Sequence, residues 1–463
     1  EMRRWVRQGS EGRRALARFC LGEYARVTGK PTRAIEEWEA FITEFPRHPL
    51  CATAGMRTAE IYQESGRLDQ AEKCLSRLLK GELPTTERTA ARLMRSVVLV
   101  RLERFKEALL EMDELQDTES GARVVLNYNR AVCALRLGDE TRVANELKQL
   151  SNLPEAKHLV SDLEMEMALE LAREGATSAA TALTEFIHRN PTHRRLNEAR
   201  LALAELRFLD SQKSDLTIES RNLALRNAEE LLQKVVSAPL PVRSAAQAEY
   251  LAVFLADSAD NRDENQVISL GEAFLKNYPS SPLITEMRMK LGEVYFRRKD
   301  FANAETQFAS VARTEATGPT LWNALYLAGQ CASSFLNPGS VDRALGYWER
   351  IVQGGSPLQW DARYQQALIK SRINEEADSI VLFDSILNAT SSVSPELRLS
   401  SRCAKADALL RHSKKSGTSP EQAFAEYTLL AEQPDAGAFW RNQAWYKIAK
   451  AHEERQNPDA ALE

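Results

Sequence analysis

Several short segments hold residue types that perform chemistry when correctly partnered. Gly29-Lys30 offers the glycine and ammonium of a phosphate-binding loop, but Pro31 follows where a hydroxyl residue is required, and the earlier glycine is missing. The pair reads as the turn between two helices. His188 and His193 lie five apart near Pro191. Nothing nearby supplies a third or fourth ligand, so both read as surface histidines. "DSADNRDEN" (257–265) is acidic but lacks the alternating carboxylates, central glycine and terminal glutamate of a calcium loop. "AHEER" (451–455) is not the HExxH of a zinc hydrolase, and Gly354-Gly355-Ser356 lacks the strand–turn–helix context of a nucleophile elbow. Glu36-Glu37 and Glu375-Glu376 sit on helical stretches as solvated charge. The expectation is no catalytic residue, no cofactor and no metal.

Bulk properties bound the class and the architecture. The chain has 463 residues, with 61 Lys plus Arg against 65 Asp plus Glu and a net charge of −4. That balance gives no global attraction to nucleic acid or anionic lipid. A hydrophobic content of 43% is globular, and the length exceeds one compact core, so several domains or a repeat array are expected. The uncharged run from Ala316 to Val341 has only 18 residues between Pro319 and Pro338 and includes Asn323, Gln330, Ser333 and Ser334, too short and polar to span a bilayer. The six cysteines (20, 51, 74, 133, 331 and 403) form no CxxC and are expected as free, mostly buried thiols, with one or two disulfides in an oxidising compartment as the alternative that spacing leaves open. The start is basic without a long apolar stretch, and Glu1 precedes Met2, which leaves room for a removed leader.

The elements that would position any site emerge from an internal repeat. Gly22, Ala34 and Trp38 recur in spacing as Gly292, Ala304 and Phe308. Ala59, Ala71 and Leu75 follow the same steps, as do Ser96, Ala108 and Met112, and Ala131, Val143 and Leu147. Successive anchors Ala34, Ala71, Ala108, Val143 and Ala179 are 37, 37, 35 and 36 residues apart. Two antiparallel helices joined by a short turn explain the pattern: a small residue lets the axes approach and a large one a turn later fills the space beside the crossing. Such a hairpin cannot bury its apolar face alone, so neighbours must stack. The 17 prolines fall at joints or first turns.

This pattern resembles the tetratricopeptide repeat family, most strongly at 12–46, 52–84, 89–115 and 285–311. The fold expected is all-α: a right-handed superhelical solenoid of about eleven antiparallel hairpins. Two arrays are expected, 1–237 and 238–463, continuous with each other and softly divided at "SAPLP" (237–241). Long connections are expected at 210–220 and 257–265, and loose turns at "NPGS" (337–340) and "HSKKSGTSP" (412–420). Residues 457–461 resemble the start of a helix that the chain end cuts off. Three segments also place Phe five residues before Pro: Phe41–Pro46, Phe186–Pro191 and Phe274–Pro279. These look like the subgroup found in bacterial envelope proteins, the outer-membrane assembly lipoprotein and the Tol–Pal coordinating protein.

The resemblance implies a protein partner, a peptide or helix, lying on the concave face formed by the first helices. The face residues are Phe19, Glu23, Met56, Glu60, Leu93, Tyr128, Met289, Glu293 and Phe296. An apolar floor with glutamates suits an apolar partner that carries basic residues. Lys and Asn, the carboxylate clamp of chaperone-binding relatives, are absent from these places, which disfavours a cytosolic chaperone adaptor. Two further patches are singled out: the basic stretch 1–33, read as a solvated end, and the uncharged helix 319–336, read as covered by neighbouring repeats. The expected function is a non-catalytic scaffold in the bacterial periplasm or cell envelope, with a cytoplasmic adaptor or regulatory module as the alternative.

Overall fold

The computed structural model describes residues 2–115, 120–236, 241–315, 317–390 and 393–454. Its contacts divide the chain into two compact units, Glu1–Ala238 and Pro239–Glu463. In the first, α1 (Met2–Gln8) precedes six hairpins: α2 (Glu11–Val27) with α3 (Pro31–Glu44), α4 (Cys51–Glu64) with α5 (Leu68–Leu79), α6 (Thr85–Arg101) with α7 (Phe105–Asp113), α8 (Ser120–Arg136) with α9 (Glu140–Ser151), α10 (Lys157–Arg173) with α11 (Ala179–Arg189), and α12 (Leu196–Ser211) with α13 (Ile218–Val236). In the second, five hairpins pair α14 (Val242–Ser258) with α15 (Glu264–Asn277), α16 (Ile284–Arg297) with α17 (Phe301–Thr314), α18 (Pro319–Ala332) with α19 (Pro338–Gln353), α20 (Gln359–Arg372) with α21 (Glu376–Leu387), and α22 (Pro395–Ser416) with α23 (Glu421–Glu432); α24 (Gly437–Glu454) follows. Among the described residues there is no strand. This is the all-helical hairpin array expected. The segments 237–240 and 457–461, singled out in the sequence, lie outside the described residues.

Each hairpin closes on the small-to-large crossing. Ala34, Ala71, Ala108 and Ala304 have no solvent exposure, nor have Trp38, Leu75, Met112 and Phe308. A Cβ added to Gly22 would fall inside the Trp38 indole, and one on Gly292 inside the Phe308 ring. The Trp38 Nε1–H also donates to the Phe19 carbonyl at 3.3 Å, which satisfies the indole's only polar group on burial. Gly329 meets Trp348 in the same way. There the connection 333–337 is longer than the turn 298–300. The large residue therefore arrives 19 positions after the glycine rather than the 16 of Gly292 and Phe308.

The Phe…Pro segments are turn chemistry between hairpins. His48 packs edge-on to Phe41, with centroids 5.2 Å apart, and its Nδ1 accepts from the Leu50 N–H at 3.2 Å. His193 repeats this on Phe186 at 5.1 Å and accepts from the Arg195 N–H. Ser281 and Ser356 accept from Leu283 and Leu358 in the corresponding turns. The side chain two residues after Pro46, Pro191 and Pro279 thus captures an otherwise unpaired amide where the next helix begins. His193 is accordingly not a surface histidine: its side chain is 8% exposed and its Nε2 lies 3.1 Å from Asp162. His188 is exposed.

Other local expectations also change. "NPGS" is not a loose turn: Asn337 caps α19, its side chain accepting from the Ser340 N–H, with Pro338 at the first helical position. In 412–420 the helix α22 runs on to Ser416 and ends at Gly417 in the left-handed region. The uncharged helix stops at Ala332 rather than 336, leaving Phe335 outside it. Its buried positions, including Leu321, Ala324, Leu325, Ala328 and Cys331, spread around the helix, as the covered reading requires.

Ion pairs link successive repeats. Arg95 bridges Glu72 and Glu111, Arg136 reaches Glu166 and Glu170, and Arg142 meets Asp113. In the second unit Lys290 and Arg297 converge on Asp257, Arg343 grips Glu305, Lys415 pairs with Glu376, and Lys447 with Asp407. Several partners are about one repeat apart in sequence, such as Arg343 and Glu305, separated by 38.

Candidate partner-binding surface

The nine face residues sit on first helices, and the apolar ones play two roles. Phe19 lies edge-on to the buried Phe41 at 5.8 Å, and Met56 packs against the same core. Leu93 leans on the cluster around Leu99 and Met112, and Tyr128 on that around Ala131 and Leu163. Burial, with Glu166 and Asp162 nearby, pushes the Tyr128 hydroxyl's pKa up, so it stays a neutral donor. Met289 touches the clusters of two adjacent hairpins, and Phe296 lies edge-on to Phe301 at 5.4 Å. All six are half-buried. They pack against the core with one side and leave the other toward solvent.

The glutamates are not free charges. Glu23 receives Arg26 at 2.8 Å and Arg57 at 3.9 Å, and Glu60 receives Arg57 at 2.9 Å. Glu293 is paired with Lys290 at 3.1 Å. Glu205, one residue after the buried Ala204 in α12, occupies the register of Glu23 and Glu60. It has no hydrogen-bond or ion-pair partner among the described residues, and burial pushes its carboxyl up to about 7. The spacing from Ala168 to Ala204, 36 residues, is the sequence signal for it.

Between the paired glutamates and Glu205 the face is apolar. Leu93, Val97 and Val100 form one line on α6; Val125, Tyr128, Val132 and Leu135 form one on α8. Val97 is 38% and Val125 49% exposed. These two valines stand more open to solvent than the half-buried residues beside them.

All six cysteines are unpaired, and five are buried. Burial raises the thiols of Cys133 and Cys403 to about 11 and that of Cys331 to about 12, which keeps them protonated and unreactive. Among the described residues no group of three or more His, Cys, Asp and Glu could hold a metal, and no helix is long and apolar enough to cross a membrane.

The family model described as tetratricopeptide repeat matches residues 19–80, 56–122 and 269–319. A search of curated proteins finds no match. Among solved structures, a chain of the APC/C hetero-tetramer Cut9-Hcn1 is similar at 13% identity and TM-score 0.32, covering 99% of this chain and 93% of that one. One from Naa15/Naa10 bound to HypK-THB is similar at 12% and 0.35, covering 97% and 82%. Yeast Tom70 is similar at 14% and 0.32, covering 98% and 91%. The envelope subgroup suggested by the Phe…Pro segments finds no support in these matches. The matched segments, together about a third of the chain, are similar to tetratricopeptide repeats and lie within the helical-hairpin array.

Proposed function

We propose that the protein is a non-catalytic interaction scaffold that holds a partner peptide or helix on the first-helix face of its N-terminal unit. The observation that carries this is the apolar line on α6 and α8, with Val97 and Val125 open to solvent between half-buried neighbours. An apolar strip of this kind is a docking surface for the apolar side of a helix or extended segment. Phe19, Met56, Leu93 and Tyr128 form its floor, and Met289, Glu293 and Phe296 hold the corresponding places in the second unit. Glu205 offers the partner an unpaired carboxyl, so a basic residue at one end of the partner segment complements it.

A photo-reactive residue placed at Val97 or Val125 in the native cell tests this. The expected result is one crosslinked partner common to both positions and absent when the probe sits at Leu110, an exposed apolar residue on the second helix α7. Crosslinking at Leu110 alone would contradict the reading. The captured protein also separates the two addresses: envelope components support the periplasmic assembly role, and cytosolic regulators the adaptor role.

A further inference from the structure

A groove of about 500 Å3 runs between α17 and α19, the second helices of consecutive hairpins in the C-terminal unit. Its floor is a line of small residues on α17: Ala302, Thr306 and Ala309. Its walls carry Arg313 from α17 and Arg343, Tyr347 and Arg350 from α19. The carboxylate in this lining, Glu305, is already satisfied: Arg343 grips it at 2.6 and 3.1 Å, and the Tyr347 hydroxyl donates to it at 3.2 Å. Arg313 and Arg350, near the C-terminal ends of their helices, meet no carboxylate among the described residues. Arg313 donates to Ser310 Oγ at 2.9 Å and Arg350 to the Ala312 carbonyl at 3.1 Å. Each guanidinium has five N–H donors in a planar fork. Both are exposed, so most of that capacity faces solvent.

We propose that this groove binds an extended peptide segment whose acidic side chain sits at Arg313 and Arg350. Alanine and threonine on the floor let a peptide backbone approach the helix closely. From Ala302 to Arg313 the groove is about 16 Å long at 1.5 Å per helical residue, which matches about five residues of extended chain. The guanidinium fork pairs with carboxylate in a bidentate geometry. Two uncompensated arginines beside one satisfied glutamate select acidic over basic segments. The surface lies on second helices and is independent of the first-helix face proposed above.

The test uses the full chain and a fluorescein-labelled ten-residue peptide of alternating Asp and Ala, followed by fluorescence anisotropy at about 50 mM salt, where exposed charges are weakly screened. The expected result is saturable binding that weakens with added salt, with no binding of the alternating Lys and Ala peptide. Arg313→Glu with Arg350→Glu should weaken binding at least about tenfold. Thr306→Trp, which fills the floor without changing charge, should weaken it comparably. If circular dichroism shows that the double variant fails to fold, Thr306→Trp decides. Val97→Glu with Val125→Glu should leave this binding unchanged. Absence of saturable binding, equal binding of the basic peptide, or binding that survives the folded variants would overturn the proposal.

Discussion

The hairpin crossing and the first-helix face are carried by the same helices and built to opposite rules. At the crossing Gly22 meets Trp38 in volume complementarity, and Ala59, Leu75, Ser96 and Met112 at the equivalent positions are buried from solvent. On the face, Phe19, Met56 and Leu93 are only half-buried, Val97 is open, and the charges are paired at the rim. The first arrangement tolerates little change in volume, because a close-packed interior cannot absorb an added or missing methylene cheaply. The second tolerates much, because its outer side meets water or a partner. If the proposed function holds, recognition falls to the open positions of the face and stability to the crossings, and substitutions at the two should differ in kind.

The largest effects belong to the crossings. Trp38→Ala in the first unit and Trp348→Ala in the second should each cost about 3–5 kcal/mol, read as a lowered midpoint in urea unfolding. A loss below about 1 kcal/mol would remove the distinction between crossing and face.

Next comes Glu205, a carboxyl raised to about 7 from an ordinary value of 4.5. Between those values the unfolded chain ionises while the folded chain keeps its proton. Stability therefore falls as pH rises through that window and is level above it. Glu205→Gln should flatten this slope and stabilise the protein at pH 8 by about 1–3 kcal/mol, measured by unfolding across pH. If the partner brings a cation to this carboxyl, its binding should tighten as pH rises through 7.

Smaller effects lie in the turns. His48→Ala removes the side chain that accepts from Leu50 and should cost about 1 kcal/mol. Lys299 holds a φ of 61° where Gly29 and Gly66 serve in other hairpins. Lys299→Gly should therefore stabilise by about 0.5–1 kcal/mol, the relief of left-handed strain less the entropy of glycine. Both shifts are readable in thermal melts.

The sequence made the crossings legible because they demand both a residue size and a spacing. That combination located eleven hairpins and the pairs Gly22–Trp38 and Gly292–Phe308. Gly329–Trp348 obeys the same packing, but its longer connection shifts the spacing and hid it. The Phe…Pro signature was visible, but its local role was not: Phe41 and Phe186 support the imidazoles that cap the next helix. Electrostatics between repeats were not legible, since Glu23 gains Arg57 from the next hairpin and Glu305 gains Arg343 from a repeat away, whereas the Arg57–Glu60 pair follows from i,i+3 spacing on one helix. Glu205 escaped for a related reason. A glutamate without a partner looks the same in sequence as one that is paired.

The most direct test of the separation is Val97→Glu with Val125→Glu, measured for thermal melting and partner crosslinking on the same preparations. Both side chains are exposed, so the melt should match the wild type while the crosslink at neighbouring face positions disappears. A preserved crosslink, or a melt lowered as far as that of Trp38→Ala, would contradict the assignment of recognition to this face.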